Sequence, residues 1–248
     1  MEKLNGIYET YYDNGQLKER SNYKDDKFEG RVERYYENGQ IFERYNFKNG
    51  KREGLYESRD KFGVLIKRIH YKGGECEGPL EEWYDNGQMM TRDNYKNGKL
   101  NGLSESWYED GQKCESSYYK DNKLEGTFKR WYRNGQILIR ENYKNGRREG
   151  QYESWYENGQ IKECSHYKNG RLNGLYELWY INGQMRVRKN YKNGKIDGLS
   201  EWWYDKGQIW AKSKWKNNKL DGLYEEWDKN GKLIKRLTFK DNKIVNNC

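Results

Sequence analysis

Residues 154–170 read SWYENGQIKECSHYKNG: two Asn-Gly pairs eleven residues apart, a tryptophan, and a cysteine two residues before a histidine. Asn-Gly is the strongest short-range hairpin signal, because both central residues of a type I′ turn need positive φ. Two such turns this close together enclose one strand of about eight residues. Whether Cys164 and His166 form a reactive or metal-binding pair, or fill variable slots, depends on how often the surrounding pattern recurs.

The pattern recurs ten times. Gly6, Gly30, Gly54, Gly78, Gly102, Gly126, Gly150, Gly174, Gly198 and Gly222 lie 24 residues apart without exception, and a second glycine follows nine residues after each, from Gly15 to Gly231. Ten units fill residues 6–245 without insertion or deletion, leaving 1–5 and 246–248 as short termini and no room for a separate domain. A fixed period of this length marks a repeat architecture. The unit reads G-L-Y-E-x-W-Y-E-N-G-Q-I-x-x-R-x-N-Y-K-N-G-K-L-E, two β-favouring runs punctuated by two turns, with no helical periodicity. The predicted fold class is all-β, an elongated single-layer antiparallel meander of ten stacked hairpin repeats in a twisted ribbon or rod. About twenty strands at ~4.8 Å spacing would reach roughly 95 Å, and so long a sheet must twist.

With Asn158 and Gly159 as a turn centre, Tyr156 should face Ile161, Ser154 Glu163 and Tyr152 Ser165. Strand alternation places these on one face with Tyr167 and Leu172, the expected hydrophobic face. Trp155, Leu175, Lys162, Glu153 and Cys164 should lie on the other. In eight units Arg or Lys stands opposite the slot that is usually Glu, as in Glu9 with Arg20, the pattern of a cross-strand charge pair. A bulge at the leading glycine would alter this register.

Composition narrows the function classes. Leu, Ile, Val and Phe number 39 of 248 residues, about 16%, below the range usual for folded chains. The 24 Tyr and 10 Trp compensate, since disordered chains are poor in aromatics. The apolar surface must therefore come mainly from rings. The start, MEKLNGIYETYY, has no apolar core of a signal peptide, and no run of 18 apolar residues occurs, so a cytoplasmic protein without a transmembrane segment is expected. Cys76, Cys114, Cys164 and Cys248 match no finger or CxxC spacing and read as reduced thiols. The net charge of +9 favours anionic partners wherever it is clustered.

The run GLYELWYINGQMRVRKNYKNGKIDG, residues 174–198, resembles MORN repeats, in particular the variant subclass found in arrays in bacteria and large DNA viruses. The resemblance rests on Tyr, Trp-Tyr, Asn-Gly-Gln and Tyr-Lys-Asn-Gly at fixed offsets and covers essentially every unit. It implies a stack of β-hairpins and a role in scaffolding, partner binding or self-association. It also implies two narrower possibilities, membrane-lipid binding and an antitoxin or immunity role.

No catalytic, cofactor or metal motif emerges. His70 and His166 both occupy the slot usually filled by Asn, eight strands apart, or roughly 38 Å at sheet spacing, so they share no metal. Cys164 and His166 lack further ligands in neighbouring units. The glycines are turn glycines, and no unique carboxylate pair stands out. No small-molecule substrate is expected.

Three binding candidates remain. Lys24, Lys48, Lys72, Lys96, Lys120, Lys144, Lys168, Lys192, Lys216 and Lys240 precede the second turn of each unit, and Lys or Arg follows it in nine, with Glu75 the exception. These would line one edge at a repeat of roughly 9.6 Å and could hold an anionic lipid surface, a nucleic-acid backbone or an acidic protein. The other edge carries Asp13, Glu37, Asp85, Glu109, Glu157 and Asp205. The alternative is that turn lysines keep a long sheet soluble and unpaired. Trp83, Trp107, Trp131, Trp155, Trp179, Trp203 and Trp227 form an aromatic row beside cations, suited to protein recognition or to packing within the sheet. The third unit is irregular, with Arg59 and Asp60 at the Trp-Tyr slot, Phe62 for Asn, Val64 for Gln, and Pro79 in the next unit. A bend, bulge or gap near residues 58–79 is expected there, as a partner site or as repeat decay. Asp228 for Tyr in the last unit reads as a terminal cap. The expected function is a non-enzymatic scaffold for protein–protein interaction, with self-association included. The alternative is lipid or nucleic-acid binding through the lysine edge.

Overall fold

The computed structural model describes residues 3–245; Cys248 and the 246–248 terminus lie outside the described residues. The chain divides into two compact units, Met1–Lys123 and Leu124–Cys248. Each unit is an open antiparallel sheet in which every strand pairs with its neighbours in the chain, and no helix occurs among the described residues. None is therefore long and apolar enough to cross a membrane.

The second turn of each repeat follows the sequence reading. Asn169 and Gly170 both have positive φ, 50° and 77°, as a type I′ turn requires. Asp25-Asp26, Asp121-Asn122, Asn217-Asn218 and Asp241-Asn242 adopt the same conformation without glycine, because Asn and Asp tolerate the left-handed region better than other side chains.

The first turn departs from it. Only Gly159 has positive φ there, Tyr156 donates its N–H to the Gln160 carbonyl at 2.8 Å, and Gly159 donates to the Tyr156 carbonyl at 2.9 Å. This is a three-residue loop, Glu157-Asn158-Gly159, with the glycine closing it in the left-handed conformation. The expected Tyr156–Ile161 pair is replaced by Trp155 opposite Ile161. A bulge then absorbs Lys162, and the register returns: Ser154 faces Glu163, Glu153 Cys164 and Tyr152 Ser165, as expected. The extra loop residue and the extra strand residue cancel, so the interior pairing was readable although the turn was misread.

The bulge foreseen at the leading glycine is present between repeats: Glu77, Gly78 and Pro79 together oppose His70. It recurs elsewhere, as between Ser165 and Tyr167. Pro79 thus sits where no ladder donor is needed, inside the continuous strand Glu75–Trp83. Of the bend, bulge or gap expected near residues 58–79, the bulge is present at 77–79, of the kind found between other repeats, and the strands stay paired without a gap. Gly54–Arg59 and Leu65–Lys72 pair with the usual register, and the turn closes through Asp60, whose Oδ1 accepts from Phe62 N at 2.9 Å and Val64 N at 2.8 Å.

One face carries the rings, as predicted. In the first unit Val32, Tyr45, Tyr56 and Ile69 form a buried cluster with Phe28, Phe47, Tyr71, Cys76 and Leu80 against it. Buried serines complete the face in both units, with Ser21 and Ser117 at 3% and 2% exposure in the first. Ser165, 2% exposed, lies between its cross-strand neighbours Tyr152 and Tyr176; small residues under flanking rings stand in for a second layer.

Candidate binding surfaces

Successive repeats are joined at both edges by side chains the sequence reading passed over. At the first turn, the Tyr156 hydroxyl donates to the Trp179 carbonyl at 2.8 Å and Asn158 Nδ2 to the Ile181 carbonyl at 3.4 Å. The Tyr bond recurs from Tyr12, Tyr36, Tyr84, Tyr132, Tyr180 and Tyr204. Asn158 Oδ1 also accepts from Gln160 N at 3.1 Å. The Asn of Asn-Gly is therefore chosen for its side chain, which closes its own loop and reaches the next one. At the second turn, the carboxylate ending one repeat accepts from the turn N–H of the next: Glu29 from Asn49 at 2.6 Å, Glu149 from Asn169 at 2.6 Å.

Those carboxylates change the lysine edge. All ten predicted lysines are exposed, and among the described residues only Lys240 is ion-paired, to Asp221 at 3.0 Å. The turn N–H groups are already occupied, so any anion there would meet lysine side chains interleaved with carboxylates. The charge is also uneven. Residues 1–123 hold 22 Lys and Arg against 24 Asp and Glu, a net −2, whereas residues 124–248 hold 26 against 15, a net +11.

The face opposite the rings carries the tryptophans. Trp83, Trp107, Trp131, Trp155, Trp179, Trp203 and Trp227 are all partly buried. Arg140 lies over the Trp155 ring at 5.3 Å, Arg68 over Trp83 at 5.5 Å and Arg188 over Trp203 at 5.9 Å. Each of these arginines comes from the repeat before its ring, so the contact joins neighbours. The cross-strand charge pairs form as the sequence suggests, with Arg20–Glu9 at 2.6 Å and Arg92–Glu81 at 2.6 Å. Arg140 faces Lys129 in its own repeat and turns instead to Glu153 of the next, at 3.2 Å. Exposed pairs contribute only ~0.2–1 kcal/mol each. On the same face Leu175, Leu199 and Leu223 stand 43%, 46% and 44% exposed in three successive repeats, set apart from the tryptophan of each strand by Glu177, Glu201 and Glu225.

In the irregular third repeat, Phe62 is 75% exposed with Lys61 over its ring at 5.2 Å, and Arg59 donates to the Gly63 carbonyl. Asp60 and Phe62 supply no bond corresponding to those of Tyr156 and Asn158. The stitches toward Trp83 and Asp85 are therefore missing among the described residues. In the last repeat Asp228 closes the turn as Asp60 does, accepting from Asn230 N and Lys232 N at 2.9 Å each.

Cys164 and His166 stay apart from any site. The Cys164 thiol, pushed up by burial, accepts a contact from Gln151 Nε2 at 3.8 Å, and His166 is exposed. Among the described residues no group of three or more His, Cys, Asp and Glu side chains is placed to hold a metal ion.

Nine segments match the model of the MORN repeat variant: residues 4–25, 28–49, 77–97, 100–121, 124–145, 148–169, 172–193, 196–217 and 220–241. The skipped stretch, 50–76, contains the irregular repeat. No curated protein matches the chain. Among solved structures it is similar to the crystal structure of TcdB2-TccC3, with 10% identity and a TM-score of 0.21 over 96% of this chain and 15% of that one. The crystal structure of TcdB2-TccC3-Cdc42 is similar at the same identity and TM-score, over 94% of this chain and 14% of that one. The chain thus spans about a seventh of those chains.

Proposed function

The chain belongs to the MORN repeat variant family, a non-enzymatic repeat type, and on that premise we propose that it is a scaffold whose tryptophan-bearing face binds a protein partner, a second copy of itself included. The observation that supports this is the exposed row Leu175, Leu199 and Leu223 on the same face as the partly buried Trp179, Trp203 and Trp227. Apolar and aromatic side chains set beside charged pairs, here Arg188–Glu177, Lys212–Glu201 and Arg236–Glu225, are the usual make-up of a protein-binding patch. Sedimentation velocity tests the self-binding form. Replacing all three leucines by Ser should remove concentration-dependent association while leaving the circular dichroism unchanged. Association equal to that of the parent chain would overturn this placement.

The net +11 of residues 124–248 supports a second reading, an anionic partner along Lys144, Lys168, Lys192, Lys216 and Lys240. Replacing these five by Gln should weaken binding to anionic vesicles or to DNA and flatten its salt dependence. Unchanged binding and salt slope would dismiss it.

A further inference from the structure

Two arginines on the ring-bearing face show what its tyrosine pairs accept. Arg52 lies over Tyr56 at 5.5 Å and Tyr71 at 5.2 Å and donates to the Tyr71 hydroxyl at 3.1 Å. Beside it Glu43 accepts from the Tyr56 hydroxyl at 3.2 Å and pairs with Arg34 at 3.5 Å. In the second unit Arg148 lies over Tyr152 at 5.2 Å and Tyr167 at 5.3 Å, with Glu141 at 2.6 Å. Each arrangement is a box of two edge-on rings, 6.4 Å and 6.2 Å between centroids, with a guanidinium supplied by the residue that ends the preceding strand pair and a carboxylate nearby; Glu141 pairs with its guanidinium, whereas Glu43, from another strand position, pairs with Arg34.

The next repeat has the same ring pair without the guanidinium, with Lys189 opposite Tyr176 across the strands. Tyr176 and Tyr191 meet edge-on at 5.9 Å and 69°. The residue that would supply the guanidinium is Leu172, too short to reach between the rings. The carboxylate is present as Glu163, which occupies the strand position of Glu43 and is half-buried. It accepts from Ser165 Oγ at 3.2 Å and, among the described residues, has no ion pair. Burial pushes its carboxyl above the usual range, and burial, then Glu163, pushes the Tyr176 hydroxyl up to about 12. The cations nearby are committed elsewhere. Arg148 is held by Glu141, Lys162 lies over Tyr156 at 5.6 Å, and Lys189 lies over Trp202 at 5.3 Å. A half-buried carboxylate among aromatic faces is a poor place for a charge unless a cation completes it.

We propose that the Tyr176–Tyr191–Glu163 box is a recognition site for an arginine side chain of a protein partner. The proposal rests on the scaffold reading above but is tested apart from it, with N-acetylarginine amide as the probe and NMR of the labelled tyrosine rings as the readout. Saturable shifts of Tyr176 and Tyr191 at millimolar probe are expected. The neutral isostere N-acetylcitrulline amide should leave them unmoved. Glu163→Gln should weaken the probe about fivefold, the factor corresponding to ~1 kcal/mol. Leu172→Arg should fill the box from within, as Arg52 and Arg148 do, and abolish probe binding while raising the melting temperature. Citrulline shifts equal to those of arginine, unsaturable shifts, or undiminished probe binding by Leu172→Arg would each overturn the assignment. A box that binds the probe in a chain that binds no partner would instead count against the scaffold reading.

Discussion

The missing stitches between the third and fourth repeats can be put back. The triple substitution Asp60→Tyr, Phe62→Asn and Val64→Gln installs the residues that Tyr36, Asn38 and Gln40 supply one repeat earlier. There, the Tyr36 hydroxyl donates to the Arg59 carbonyl at 3.1 Å, Asn38 Nδ2 to the Lys61 carbonyl at 2.8 Å, and Gln40 N to Asn38 Oδ1 at 3.0 Å. The new Tyr should reach the Trp83 carbonyl, a part-buried bond contributing about 1 kcal/mol, and the new Asn the Asp85 carbonyl, an exposed bond contributing about 0.5 kcal/mol. Against this, the two bonds to Asp60 Oδ1 are replaced by one to the new Asn, a loss of about 0.5 kcal/mol in the open. The net gain is about 1 kcal/mol, localised to one junction, and a global melting curve is a blunt measure for an array of coupled repeats. Native-state hydrogen exchange resolves it. The amides of residues 65–69 and 80–84, which span this junction, should exchange about fivefold more slowly in the variant, with remote repeats unchanged. Exchange within twofold of the parent, or faster, in a chain with unaltered circular dichroism would refute the idea that these side chains hold the repeats together.

Three further outcomes are expected. Gly159→Ala places a Cβ 2.8 Å from Gln136 Oε1 at φ +83°, whereas Gly231→Ala at φ +80° meets nothing. Because the Gln136 tip can swing aside, urea titrations should show the two variants losing similar stability, about 1–2 kcal/mol from the left-handed backbone alone, and a much larger loss at Gly159 would show that Gln136 is locked. The Glu163 carboxyl is raised by burial, so the folded chain holds its proton more tightly than the unfolded one. The contribution is fully present below the ordinary glutamate pKa and is lost as pH rises through the folded value. The melting temperature of Glu163→Gln relative to the parent should therefore climb across that interval and level off above it, and a flat difference from acid to neutral pH would contradict the assignment. The Cys164 thiol is pushed up by burial, so iodoacetamide at pH 8 should modify it more slowly than a free cysteine peptide; faster alkylation would reveal an activated thiol.

Most of the fold was open to reading because the glycine spacing and the Asn-Gly pairs state the period and the chain reversals directly. The first turn was misread for a specific reason. Asn-Gly satisfies both a two-residue turn and a three-residue loop closed by glycine, and the same three-residue loop forms where Lys206 or Phe62 takes the Asn slot, so the dipeptide alone does not select between them. In the third repeat the departures from the consensus point to a bend, bulge or gap, and the structure has the bulge but a closed turn, because Asp60 reproduces with one carboxylate the bond that Asn38 makes. Among the candidate surfaces, the lysine edge was visible as a row of letters. That Glu29 and Glu149 lie within that row could be known only from their bonds to the next turn. The tyrosine boxes were out of reach, since Arg52, Arg148 and Leu172 share one slot in the repeat, and only geometry distinguishes a filled box from an open one.

The edge stitches also bear on how the chain reaches its fold. The Tyr156 hydroxyl bond and its counterparts join residues 23 apart, and no hydrogen bond described above spans more. In a chain of 248 residues these bonds span at most about 0.09 of the length, a separation typical of fast-folding helical bundles, where all-β proteins usually average near twice that. A repeat leaving the ribosome therefore has every partner it needs once the next 24 residues have emerged. The array can grow by accretion, each new hairpin templated on the last, with no long loop to close.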